Sequence, residues 1–251
     1  METNEKEIRN DIIEGRNAVI EALRAGSPID KIFIAKGETD KTLGFIASKA
    51  REAGITVADA DRRKLDFMSV TKAHQGVIAV VPVREYCEVS DILKAAAEKG
   101  EAPFIIVCDS VSDPHNLGAI IRSAECAGAH GVIIPKRRSA GLTAVVGKAS
   151  AGALEHMPVA RVSNIVQTLK DLKKKGLWVY GTAADGRSDL WHTDFSGGVV
   201  LVIGSEGDGM SRLVSENCDC IVSIPMKGKI SSLNASCAAT LVMFEISRAR
   251  G

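Results

Sequence analysis

The sequence predicts an α/β protein in two parts, a small mixed module followed by a larger parallel sheet covered on both faces. Three observations lead there. The segments FIIVCD (104–109), GVIIP (131–135), LWVYGTA (177–183), VVLVIG (199–204) and IVSIP (221–225) are apolar almost throughout and alternate with helical stretches. Strands of that kind belong to parallel sheets buried on both faces. A charged stretch at 84–102 separates them from an earlier region with its own shorter strands and helices. The length of 251 residues suits one large or two small domains. The expected division is 1–83, a linker at 84–102, and 103–251.

In the first part, Asn17 to Leu23 reads as a short amphipathic helix after Gly15. Lys31 to Ala35 and Ile55 to Ala58 read as strands, with Thr42 to Ala53 helical between them and Gly54 ending the helix. Gly76 to Pro82 is a third strand after the loop Thr71 to Gln75. Charges nearly balance here, so any nucleic-acid binding would rest on a local patch drawn from Arg16, Lys36, Arg62, Arg63, Lys64 and Lys72. The trio at 62–64 reads equally well as a solvated helix face. His74 can stack on a base or be a plain loop histidine.

Within the linker, Ser90 to Glu98 is a short helix with Gly100 beyond it. The second part continues with helices near Asn116 to Ala127, Leu142 to Leu154 and Ile165 to Lys175, and a short one after Met210. The chain closes on a strand, a loop and a long helix. Ser232 is the expected N-cap, with Leu233, Cys237, Leu241 and Phe244 following at helical spacing. A polar set, Ser231, Ser232, Asn234 and Ser236, stands at the mouth of this helix. In open parallel sheets, ligands bind at loops on the carboxyl ends of strands. No G-x-G-x-x-G follows the strand Phe104 to Asp109, and Gly204, Gly207 and Gly209 do not match that spacing. That disfavours a nicotinamide dehydrogenase.

Other classes are bounded by composition. Hydrophobic residues make up 45% and charged residues 25%, ordinary for a chain with a real core. No apolar run approaches the ~20 residues of a membrane span. METNEKEIRN is too polar for a signal peptide. Six scattered cysteines include no C-x-x-C pair, so neither a metal site nor a disulfide framework is expected, and a reducing, cytoplasmic setting is. The net charge is only +1.

Three loops share the order strand, polar loop, helix. The N-x5-R of Asn116 and Arg122, the GSEGDGM of Gly204 to Met210 and the IPM…SSLNAS of Ile224 to Ser236 resemble motifs 1, 2 and 3 of the SpoU/TrmH ribose 2′-O-methyltransferases. The resemblance runs from about Phe104 to Arg250. DPHNLGAIIRSAE and the two-part layout are most similar to bacterial large-subunit ribosomal RNA guanosine 2′-O-methyltransferases, with transfer RNA enzymes as the alternative. EGRNAV and the HQG of His74 to Gly76 resemble the small ribosomal-protein-like RNA-binding domain that many members carry in front. Ala235 departs from the pattern, where valine is common.

The resemblance implies S-adenosylmethionine as cofactor, structured RNA as substrate, a trefoil knot that tucks the last helix through a loop, and a homodimer whose interface is built largely from the knotted domain, including that helix. Val242, Met243 and Ile246, apolar beyond what one helical face needs, are the expected interface residues. It implies a catalytic set of Asn116, Arg122, Glu206, Ser232 and Asn234, and a cofactor set of Thr182, Gly204, Glu206, Gly207, Ile224, Met226 and Leu233. Arg122 would hold the RNA phosphate and activate the 2′-hydroxyl. Arg16, Lys136, Arg137, Arg138 and Lys148 would contact RNA, the last four as a phosphate-binding strip. Locally, Asn116 also suits an N-cap and Arg122 a pair with Glu125. A non-catalytic RNA-binding protein of the same fold is the rival from another class.

Overall fold

The computed structural model describes residues 12–24, 26–37, 40–69, 72–81 and 85–251. Pro82, the boundary expected after residue 83 and the polar N-terminal decamer lie outside the described residues. The chain divides into two compact units: residues up to Arg84 together with Leu142–Lys148, and Glu85–Gly141 with Ala149–Gly251. The stretch 85–102, read above as linker, is counted with the second unit.

The first unit contains β1 (Ile12–Glu14), α1 (Arg16–Arg24), β2 (Lys31–Ala35), α2 (Lys41–Glu52), β3 (Thr56–Ala60), α3 (Arg62–Met68) and β4 (Val77–Val80). Its four strands run in the order β1-β4-β2-β3, with only β2 and β3 parallel. Successive side chains on a strand face opposite ways. Ile32 and Ile34 therefore join Val19, Leu43 and Ile46 of α1 and α2, while Ala35 and Ile78 pack with Leu65 of α3. β1 was not expected. Three residues carry too little pattern, and the strand is defined by its pairing with β4.

The second unit continues with α4 (Val89–Lys99), β5 (Phe104–Cys108), α5 (Pro114–Cys126), β6 (Gly131–Pro135) and β7 (Val159–Val162). Between β6 and β7 lies α6 (Ala144–Ala149), shorter than the helix expected over 142–154, with a 3-10 turn at Ala153–Glu155. Then come α7 (Ile165–Lys174), β8 (Trp178–Thr182), β9 (Ser188–Asp189), β10 (Val199–Ile203), α8 (Arg212–Ser215), β11 (Cys220–Ser223) and α9 (Ala235–Arg250). The sheet has seven strands in the order β7-β6-β5-β10-β8-β11-β9, and every pairing is parallel. Ile105, Val107, Val200 and Val202 form one core with Ile92 of α4 and Leu169 and Leu172 of α7. Phe104, Ile106 and Leu201, equally buried, point to the other face. There α9 contacts both α5 and β10.

Helix α9 corrects two expectations. Its N-cap is Asn234, whose Oδ1 accepts from the Ser236 and Cys237 amides; Ser232 lies outside the helix. Val242, Met243 and Ile246 are buried within the chain, so they are not a spare interface face. Leu233, Leu241 and Phe244 are exposed, and so is Cys237. Both stripes are apolar, so spacing alone does not tell which one faces the core.

His130, 3% exposed, locks the loop before β6 to the start of β5. Its Nδ1 accepts from the Phe104 amide at 3.0 Å and its Nε2 meets Glu101 at 3.1 Å. Burial pushes its pKa down, partly opposed by Glu101, with Lys99 and Arg250 adding to the fall. The folded chain therefore takes up this proton less readily than the unfolded one. Its stabilising contribution is complete above the unfolded pKa of about 6.5 and is lost as pH drops below it. Thermal melting of the wild type is expected to weaken more steeply from about pH 6.5 to 5 than that of His130→Gln. Equal slopes would remove His130 from the account.

Candidate active site

The site forms where three loops leave the carboxyl ends of β5, β10 and β11. After β5, Asp113 caps α5 by accepting from the His115 amide at 3.0 Å. Asn116 is therefore a residue of the first turn and not the cap, and its amide side chain is left for other work. It is 5% exposed.

After β10 the chain makes a tight loop. Ser205 and Gly209 exchange backbone hydrogen bonds at 2.9 and 3.1 Å, and Gly209 has φ +67°. Gly204 is needed for space. A Cβ there would stand 2.2 Å from the Gly209 carbonyl carbon and the Met210 nitrogen. Beyond the loop, the Ser211 amide donates to Oδ2 of buried Asp109 at 2.7 Å. Asp109 thus pins the loop's far end to the end of β5. That contact spans 102 residues, and no local signal pointed to it.

Glu206 at the loop's crest meets both other motifs. Asn116 Nδ2 donates to Glu206 Oε1. Asn234 Nδ2 donates to the same oxygen at 2.7 Å and to Asn116 Oδ1 at 3.1 Å. Asn234 Oδ1 is at the same time the cap of α9. One asparagine therefore ties helix start, glycine loop and first motif together. Between α5 and α9, Ser123 Oγ and Thr240 Oγ1 add a contact at 2.7 Å.

Two cavities flank this cluster. One, of about 260 Å³, opens at the carboxyl ends of β8, β10 and β11 and is lined by Thr182, Gly204, Glu206, Gly207, Ile224, Met226, Ser232 and Leu233, among others. All seven residues proposed above for the cofactor lie on its wall. Ile203, Val222, Ala235 and Ala238 make its floor largely apolar. A flat, neutral heteroaromatic ring fits such walls, with backbone groups at the strand ends to read its edge. The other cavity, of about 470 Å³, lies across the loop and is lined by Ser110, Ser112, Asp113, Asn116, Arg138, Glu206 and Asp208, among others. Glu206 and Ser205, Gly207 and Gly209 border both.

Arg122 is not part of this cluster. It is exposed, lines neither cavity, and among the described residues forms no ion pair with Glu125. Lys136, Arg137 and Arg138 are exposed after β6. Lys148 lies on α6, in the stretch counted with the first unit. Arg16 is held internally: its Nε donates to the Gln75 carbonyl at 3.0 Å and its guanidinium pairs with Asp40 at 2.9 Å. Asp40 in turn caps α2, and the Thr42 amide holds its carboxyl below the ordinary range. His74 is 3% exposed, set between Asp66 at 3.0 Å and the Gly76 amide at 3.0 Å. It has no face free to stack on a base. The EGRNAV and HQG segments are thus one structural clamp.

Comparison with known proteins agrees with this geometry. Residues 103–244 match the SpoU rRNA Methylase family, and residues 12–87 match the RNA 2′-O ribose methyltransferase substrate-binding family. YacO of Bacillus subtilis, assigned by name to the TrmH family tRNA/rRNA methyltransferases, is 49% identical over 96% of this chain and 97% of its own. A Staphylococcus aureus protein of the same description is 45% identical over 97% and 98%. The SpoU methyltransferase AviRb of Streptomyces viridochromogenes, crystallised with its cofactor AdoMet, superimposes with a TM-score of 0.61 at 27% identity, covering 95% of this chain and 90% of that one. The chain belongs to the SpoU/TrmH family of RNA methyltransferases. It is an S-adenosylmethionine-dependent enzyme acting on RNA.

The apolar cleft fits that cofactor, and residues on its wall, Gly204, Ile224 and Met226 among them, would hold it. When bound, S-adenosylmethionine supplies an electrophilic methyl group on a sulfonium. This chain's residues have two tasks: to align an acceptor with that methyl, and to take the acceptor's proton.

Proposed function

We propose that the enzyme methylates the 2′-hydroxyl of a ribose in structured RNA, a guanosine of 23S ribosomal RNA, in the cytoplasm. The observation that carries this reading is the junction of Asn116, Glu206 and Asn234, in which Glu206 lies on the wall shared by both cavities and Asn116 on that of the polar one. The apolar cleft takes the cofactor, and the polar cavity with Arg138 takes the acceptor nucleotide. Arg138, Lys136, Arg137 and Arg122 supply phosphate contacts. A guanidinium stays protonated and is not a proton acceptor, so Arg122 serves as an anchor. Ser232 lies on the cleft wall as a polar contact. In the first unit the exposed residues Lys36, Arg62, Arg63 and Lys64 offer the RNA surface; Arg16 contributes by shaping it. The family's knot, with the last helix tucked through a loop, belongs to the same proposal. Comparing 2′-O-methyl maps of ribosomal and transfer RNA from cells with and without the gene tests the assignment. Loss of one site in 23S RNA supports it. Loss only in transfer RNA moves the target, and no change removes the function.

The active form is a homodimer. The stripe Cys237, Leu241 and Phe244 leaves apolar surface in water along one face of α9, with Leu241 42% and Phe244 48% exposed. A second copy would cover it. Sedimentation is expected to show a dimer at about micromolar concentration and a monomer for Leu241→Asp/Phe244→Asp, since placing carboxylates in an apolar interface costs several kcal/mol. A monomeric wild type contradicts this.

A further inference from the structure

We infer that Glu206 is the base that takes the proton from the acceptor hydroxyl; this rests on the function proposed above. Its Oε1 receives both amide donors, Asn116 Nδ2 and Asn234 Nδ2, while Oε2 has no protein partner among the described residues. One oxygen is thus held and the other is left to act. Glu206 lines the cofactor cleft and the acceptor cavity alike, so it stands between methyl donor and hydroxyl. The other charged residues lining the acceptor cavity with it are Asp113 from the cap of α5, Arg138 from the loop after β6 and Asp208 from its own loop. No cation pairs with Glu206 among the described residues, so its negative charge is not spent in an ion pair. From α5 and α9 only the two asparagine amides reach it, and both are neutral.

The alternatives on the site wall are poorer bases. Asn116 and Asn234 are amides committed to each other and to Glu206. Ser232 is a hydroxyl and does not ionise in the working range. Asp113 and Asp208 line the acceptor cavity alone, whereas Glu206 lines the cofactor cleft as well. A carboxylate need not be strong here. As the new O–CH₃ bond forms, the oxygen gains positive character and its proton becomes acidic, so Oε2 takes it late in the displacement. The hydroxyl oxygen gains the methyl, the C–S bond breaks with its pair returning to sulfur, and the proton passes to Glu206 and then to water. Charge and atoms balance with no further reactant.

The test uses the full-length protein, methyl-labelled S-adenosylmethionine and unmodified RNA from cells lacking the gene. Glu206→Gln keeps the size and an acceptor oxygen for the two amides. Single-turnover transfer is expected to fall about 10²- to 10⁴-fold, the usual contribution of a positioned base. The wild-type rate should decline with unit slope at acid pH, and that limb should vanish in the variant. A variant that loses less than about tenfold, or that keeps the acid limb, overturns the assignment. So does a wild-type rate flat across acid pH, whatever the variant does. An unmutated protein that transfers no methyl at all fails the function itself, a result distinct from the others.

Discussion

Gly204→Ala is expected to lower affinity for S-adenosylmethionine about 10- to 100-fold, equivalent to ~1.4–2.7 kcal/mol. The added methyl would meet backbone atoms of Gly209 and Met210 at 2.2 Å, and backbone cannot swing aside as a side-chain tip can. The loop must open, at the ~1–3 kcal/mol typical of overpacking. It forms one wall of the cofactor cleft and carries Glu206, so both functions suffer together. Gly207 provides the contrast. It lines the same cleft, yet an added Cβ there has nothing within 4 Å. Gly207→Ala should bind the cofactor almost normally. Isothermal calorimetry on the two variants reads the difference, and equal affinities would mean the loop is not held as described.

Asn234→Ser is expected to lower methyl transfer ~100-fold with little loss of stability, since a misplaced catalytic group costs about that much. Serine is as good an N-cap as asparagine, so α9 should keep its start. Serine is too short to donate to both Glu206 and Asn116, and the carboxylate then loses one of its two anchors. Asn234→Ala removes the cap as well and should cost a further ~1 kcal/mol of stability. Comparing melting with single-turnover rates separates the two roles. A serine variant with full activity would reduce Asn234 to a helix cap.

Much of this was legible before the structure, and the reasons differ by residue. The strands of the large sheet are apolar on both faces, so runs such as VVLVIG stand out from their surroundings. β7 and the two-residue β9 carry no such run; β9 takes its identity from pairing with β11. Helix α9 was legible as a helix, but its cap and buried side were not. Ser232 and Asn234 are both good caps, and the choice went to the residue that also meets Glu206. The cofactor wall could be named from motif resemblance because each loop contributes contiguous residues. Asp109 could not, because its partner is distant in sequence and the pairing exists only in the fold. Nothing in the sequence marked what holds Arg16 and His74. Their partners, Asp40 and Asp66, are set by tertiary contacts.

The central claim is that one site, built from three loops, moves a methyl group from S-adenosylmethionine to a ribose oxygen. Its most direct test is to incubate the protein with methyl-labelled S-adenosylmethionine and unmodified ribosomal RNA, then to hydrolyse the RNA completely in alkali. Alkali cleaves through the free 2′-oxygen, so a methyl there protects the adjoining phosphodiester. The account predicts label recovered in alkali-resistant dinucleotides, and none with Glu206→Gln over the same time. Label recovered in mononucleotides would place the methyl on a base and contradict it.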